Sequence, residues 1–236
     1  MKLLLECAKV HPSTVDTLGR TPLFRATNNG EKVVKLLLER EDVNPNTTDE
    51  NGETPLARAV WRAHEGIVNS ELVVKLLLER WDVNPNIANN FDGDTPLQLA
   101  VRNGQEGIVW MLLERNDIYP NAVGASGKIP LLVHAFRYKR IMKMLLELND
   151  VNIGPSNDDG QTLLHRAAQR GYEGIVKMLL EREDVNPNAA NSRGETPLYG
   201  AASSGHEGVV KMLQERQDVN LNIADDTGDT LRSLAV

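Results

Sequence analysis

The tripeptide Thr-Pro-Leu recurs through this chain at a nearly constant interval, and that recurrence limits the possible folds more than any other feature. It begins at Thr21, Thr54, Thr95 and Thr196, with variants at Ile129-Pro130-Leu131, Thr162-Leu163-Leu164 and Thr230-Leu231-Arg232. Successive starts lie 33, 41, 34, 33, 34 and 34 residues apart. A second marker runs in phase: Asp42-Val43-Asn44-Pro45-Asn46, Asp82-Val83-Asn84-Pro85-Asn86 and Asp184-Val185-Asn186-Pro187-Asn188, with weaker copies at Asp117, Asp150 and Asp218. A period of this length means one small supersecondary unit per repeat. Such a unit cannot bury its apolar side alone and must stack on its neighbours.

Each unit has a physical grammar. Threonine at the start is a helix N-cap, and the proline beside it occupies the first helical position, where a missing N–H removes no bond. A short helix leads to a glycine turn at Gly30, Gly104, Gly171 or Gly205. The second helix carries an apolar run such as Val33-Val34-Lys35-Leu36-Leu37-Leu38, predicted to be core. It closes on a charged pair, Glu39-Arg40, repeated at Glu79-Arg80, Glu114-Arg115, Glu181-Arg182 and Glu215-Arg216. These pairs read as a solvated outer face. The extended Asp-Val-Asn-Pro-Asn and a glycine turn (Gly52, Gly93, Gly127, Gly160, Gly194) then lead to the next start.

This pattern resembles the ankyrin repeat, whose signature appears as Thr196-Pro197-Leu198-Tyr199-Gly200-Ala201-Ala202. The resemblance implies an all-α solenoid of stacked helix-turn-helix units joined by β-hairpin-like loops. It covers residues 1–236 as a single array, with full units starting near 21, 54, 95, 129, 162 and 196. Residues 1–20 and 230–236 read as partial units, which suggests a piece of a longer array. The near-identical Asp-Val-Asn-Pro-Asn loops are similar to the ankyrin arms of fungal nucleotide-binding receptor-like proteins. That likeness implies an alternative role, as the sensor or regulatory arm of a larger signalling protein such as a nucleotide-binding switch ATPase. The resemblance to the ankyrin repeat also implies that His165, at the signature histidine position, bonds to the backbone of its own repeat. Two departures stand out. The unit at Thr54 has about seven extra residues around Glu65–Glu71, and the fourth unit has His134 and Tyr138 where the family has Ala and the turn Gly.

Composition narrows the function. The net charge of −7 argues against a chain built to coat nucleic acid. The lone Cys7 fits a reducing compartment, and no apolar run is long enough to span a bilayer, so an intracellular, cytoplasmic protein is expected. Gly124-Ala125-Ser126-Gly127-Lys128-Ile129 lacks the spacing of a phosphate loop. No histidine, cysteine or acidic cluster has metal-ligand or nucleophile–base spacing, so neither enzyme activity, nor a metal, nor a cofactor is predicted.

What remains is a binding surface. The two residues before the inter-helix turn are Asn28-Asn29, Trp61-Arg62, Arg102-Asn103, Phe136-Arg137, Gln169-Arg170 and Ser203-Ser204. In the four central units each pair contains Arg. The position after the signature histidine adds Arg25, Arg58 and Arg166, and Phe91 lies in a loop beside them. Trp, Tyr and Arg dominate interface hot spots. In ankyrin arrays partners usually dock on the concave face, so Trp61, Phe136 and the arginines read as a stripe for a protein or peptide with acidic character. Membrane and nucleic-acid partners are not expected, and the oligomeric state is open. The competing reading is that the loop carboxylates of Asp49, Glu50, Glu53, Asp92, Asp94, Asp158, Asp159 and Glu195 pair with these arginines and leave a self-satisfied surface.

Overall fold

Five of the predicted threonines cap a helix. The Oγ1 of Thr21, Thr54, Thr95, Thr162 and Thr196 each accepts the backbone N–H three residues on. The computed structural model describes residues 11–28, 30–67, 69–122, 130–148, 150–153 and 159–222. Cys7, the Gly124–Ile129 stretch, Asp158, residues 1–10 of the first partial unit and the whole of the last one lie outside them. Among the described residues every regular element is a helix, and none is long and apolar enough to cross a membrane.

The chain forms two compact units, residues 1–131 and 132–236. In the first, helix pairs α1 (Pro22–Ala26) and α2 (Glu31–Leu38), α3 (Pro55–His64) and α4 (Ser70–Leu78), and α5 (Pro96–Arg102) and α6 (Glu106–Leu113) follow one another. First helices pack on first helices, and second on second. Helix α7 (Pro130–Ala135) spans the boundary, and the second unit continues with α8 (Lys139–Leu146), α9 (Leu163–Gln169) and α10 (Glu173–Leu180), and α11 (Pro197–Ser203) and α12 (Glu207–Gln214). The core is aliphatic and lies between the two helical layers: Val74, Leu77, Val109 and Leu112 in one unit, Ile141, Leu145, Val176 and Leu179 in the other, all at 0% exposure. The turn glycines Gly104, Gly171 and Gly205 have φ of 68–74°, the left-handed region that a Cβ disfavours. Tyr138 closes its turn differently, at φ −128°, which is the local departure anticipated there. In the unit at Thr54 the extra residues lengthen α3 to 10 residues, and Gly66 and Asn69, both left-handed, then turn the chain into α4.

The Glu-Arg pairs do not form a solvated outer face, and here the sequence reading is corrected. The glutamates are exposed, but Arg80, Arg115, Arg182 and Arg216 reach back and strap the preceding repeat, Arg216 through the Leu180 carbonyl. Arg80 donates to the carbonyls of Leu38, Arg40 and Val43 at 3.1–3.3 Å. Arg115 does the same to Leu78, Arg80 and Val83, and Arg182 to Leu146 and Leu148. Each guanidinium is held in place by the Asp two residues on, through Nε and Nη2: Asp82, Asp117 and Asp184. A helix leaves its last carbonyls without intrahelical partners, and a planar five-donor fork can serve several at once. The second Asn of Asp-Val-Asn-Pro-Asn completes the clamp. Asn46 donates through Nδ2 to the Asp82 carbonyl at 2.7 Å and accepts the Asn84 N–H at 2.8 Å. Asn86 and Asn188 repeat this rung. Arg182→Lys, which keeps the charge but not the fork, is therefore expected to lower stability by about 1–3 kcal/mol in urea unfolding. A loss under ~0.5 kcal/mol would return the pair to the solvated face.

His165 is buried and carries two contacts. Its Nε2 donates to the Glu195 carbonyl of the following loop at 2.6 Å, and Nδ1 faces the N–H and Oγ1 of its own cap, Thr162. Those partners require the neutral imidazole with its proton on Nε2. Burial pushes the pKa below its ordinary value, against the raising effect of the Glu195 carbonyl and charge. The unfolded chain therefore binds the proton more tightly, and the contribution of this group is lost as pH falls below about 6.5. Thermal unfolding followed from pH 7.5 to 5 is expected to show a falling midpoint, with a shallower fall in His165→Gln. Parallel curves would overturn this assignment.

Candidate partner-binding site

The predicted site residues gather in two clusters, one in each compact unit, and their electrostatics differ. In the first unit, Arg58, Trp61, Phe91 and Arg102 line a cleft of about 350 Å³ together with Asn51, Glu53, Asn89, Asp92 and Leu99. Arg62 and Asn103 do not line it. Arg58 lies over the Trp61 ring at 4.9 Å, and Phe91 is almost fully exposed. Every arginine here is occupied. Arg58 sits 3.7 Å from Glu53 and Arg62 3.7 Å from Glu65. Arg102 meets both Asp92 and Asp94. Burial acts to raise the pKa of Asp92, but the Arg102 guanidinium and the Asn89 amide hold it below its ordinary value. Burial also pushes Glu53 upward, opposed by Arg58. This cluster neutralises itself, as the competing sequence reading has it.

The second cluster is built around Phe136. The ring is buried, 5% exposed, so it is not the accessible anchor that the sequence suggests. Its cover explains why. The guanidinium of Arg166 lies 5.1 Å from the ring centroid and that of Arg170 at 5.7 Å, while the Tyr172 ring stands 6.0 Å away at 34°. These groups come from α9 and the turn that follows it, so Phe136 is the floor of a surface made by the next repeat. Arg137, Lys139, Tyr172, Glu173, Gly174 and Ile175 extend it with Phe136 into a cleft of about 370 Å³. Among the described residues no carboxylate pairs with Arg137, Lys139, Arg166 or Arg170. Burial, and then the like charge of Arg170, push the Arg166 pKa below its ordinary value. The strap arginines Arg115, Arg182 and Arg216 behave oppositely, each raised by its aspartate. Gln169 is exposed, and its carbonyl accepts from His206 Nε2 at 3.0 Å.

Two features escape a reading that looks only at the predicted face. Lys139 opens α8, whereas the second helix of each other unit has a glutamate in its first turn: Glu31, Glu71, Glu106, Glu173 and Glu207. Trp110 stands where the others have Lys35, Lys75, Lys143, Lys177 and Lys211. It is 53% exposed and lines a largely apolar groove with Leu78 and Met111. Both are visible when the repeats are aligned on one another.

A stacked array of helix pairs whose variable side chains collect on its surface defines a repeat scaffold for protein interaction. The chain belongs to the ankyrin-repeat family: the model for ankyrin repeats (3 copies) matches residues 1–70, 67–124 and 131–225. Among solved structures it is similar to the crystal structure of the ankyrin repeat domain of Bcl-3, described as a unique member of the IkappaB protein family. That match has a TM-score of 0.73 at 22% identity, over 92% of this chain and 94% of that one. Such identity establishes the architecture alone. No curated protein matches the chain.

Proposed function

We propose that this array is a non-catalytic, intracellular interaction module that takes an acidic segment of a partner protein on the surface formed by Arg137, Arg166, Arg170 and Tyr172 over Phe136. The observation that carries this reading is the contrast between the two clusters. Arg58, Arg62 and Arg102 already have carboxylates in part-buried pairs, so a ligand there must displace an internal partner. Arg137, Arg166 and Arg170 have none among the described residues, and two of them are held against an aromatic ring with their donors unspent. A ligand carboxylate arriving there gains charge-assisted, bidentate hydrogen bonds without displacing an internal partner. A fluorescent oligoglutamate peptide tests it by anisotropy. Arg166→Gln/Arg170→Gln is expected to lose binding, while Arg58→Gln/Arg102→Gln retains it. Equal loss in both variants, or no binding to the parent chain, would overturn the assignment.

A further inference from the structure

Lys139 breaks a rule that the rest of the chain keeps. A carboxylate in the first turn of a helix is favoured by the partial positive charge there, by about 0.3–1 kcal/mol, and a cation is disfavoured. Five second helices follow that rule with a glutamate, and α8 alone among the described second helices has no acidic residue in its first turn. Lys139 is exposed and forms no ion pair among the described residues. Its stem lies against Gly174, where an added Cβ would stand 3.3 Å from the Lys139 Cε. The side chain thus rests across α10, within the cleft that Arg137, Phe136 and Tyr172 also line. Glu173, the one carboxylate lining that cleft, rests against Gly208 of α12 rather than on Lys139. The result is an aromatic-walled cleft with Arg137 and Lys139 at its edge. Phe136, one of its walls, also carries Arg166 and Arg170. Four cations gather here against one carboxylate lining the cleft among the described residues.

We infer that this cleft receives a phosphorylated side chain of the partner segment. The inference rests on the acidic-segment reading above and narrows it. One carboxylate brings a single negative charge and two acceptor oxygens. A phosphomonoester brings about −1.5 to −2 and three acceptor oxygens, which answers an arginine fork and a lysine point charge together. The exposed ring of Tyr172 seats the apolar part of the side chain that carries the phosphoryl group.

The test uses three immobilised degenerate peptide libraries that differ at one fixed position, phosphoserine, glutamate or serine, in otherwise acidic sequence. The parent chain is expected to bind the phosphoserine library about tenfold or more tighter than the glutamate library. Lys139→Glu should remove that preference, bringing retention of the phosphoserine library down to that of the glutamate library. This variant restores the glutamate found in the other units, so its thermal midpoint is expected to be unchanged or raised, and lost binding is not lost folding. Equal retention of phosphoserine and glutamate libraries overturns the phosphoryl assignment and leaves the acidic-segment reading standing. Failure to retain either of them overturns both. Phosphoserine preference that survives Lys139→Glu places the phosphoryl group elsewhere.

Discussion

Leu179→Ala is expected to lower the unfolding free energy by about 2–5 kcal/mol, the range for deleting a buried leucine whose surroundings do not collapse. Leu179 is 0% exposed in α10, whose neighbours α8 and α12 close on it from either side. Both neighbours present fixed aliphatic rows, Ile141 and Leu145 on one, Val209 and Leu213 on the other. Repeats stabilise one another mainly through nearest-neighbour contacts, so a void at one helix weakens two interfaces at once. Urea unfolding is the measurement, and Leu37→Ala, at a 2% exposed position of α2, should behave alike. A loss below ~1 kcal/mol at either position would mean that the second helices are not the core.

Charge reversal at the Phe136 cluster carries the other large effect. Arg166→Glu/Arg170→Glu should weaken oligoglutamate binding by roughly 100-fold or more, since it replaces two cations with two charges of the ligand's own sign. The parent affinity should also fall as salt rises from 0.05 to 0.5 M, whereas residual binding to the variant should be nearly flat. The fold should survive. Among the described residues these arginines make no ion pair, and what the substitution removes is two cation–π contacts of about 0.5–1 kcal/mol each. A variant that unfolds would need the neutral Arg→Gln pair as its replacement. A variant that is folded and still binds tightly sinks the proposed surface.

Local features of the fold were legible in the sequence because they depend on neighbours in the chain. Threonine caps, left-handed turn glycines and the aliphatic run of each second helix follow from residues within one turn of each other. The strap was not legible. Arg115 bonds to a carbonyl 37 residues earlier, and nothing in a Glu-Arg dipeptide reveals that an acceptor is a backbone atom of another unit. The binding surface was legible in its residue types but not in its charge balance. Arg102 and Arg170 look alike in sequence. Their difference comes from the loop before Thr95, one residue longer than the others, which carries Asp92 and Asp94 to Arg102. Phe136 and Trp61 occupy the same repeat position, yet one is roofed by arginines of the next helix and the other is half-open. Lys139 was available to inspection throughout, since only an alignment of the repeats on each other is needed to see it.

The strap also gives the array a direction in time. Its arginine donors belong to the later unit and their carbonyl acceptors to the earlier one, so during synthesis a newly emerged helix pair holds its final carbonyls open to water. Arg115 reaches Leu78, and Arg182 reaches Leu146, only after more than thirty further residues have left the ribosome. The units preceding those of Arg80, Arg115, Arg182 and Arg216 are thus latched from behind by their successors, whereas the fourth unit carries Leu148 at the strap position. A ribosome that stalls before one of these arginines leaves the carbonyls of the preceding unit without their strap.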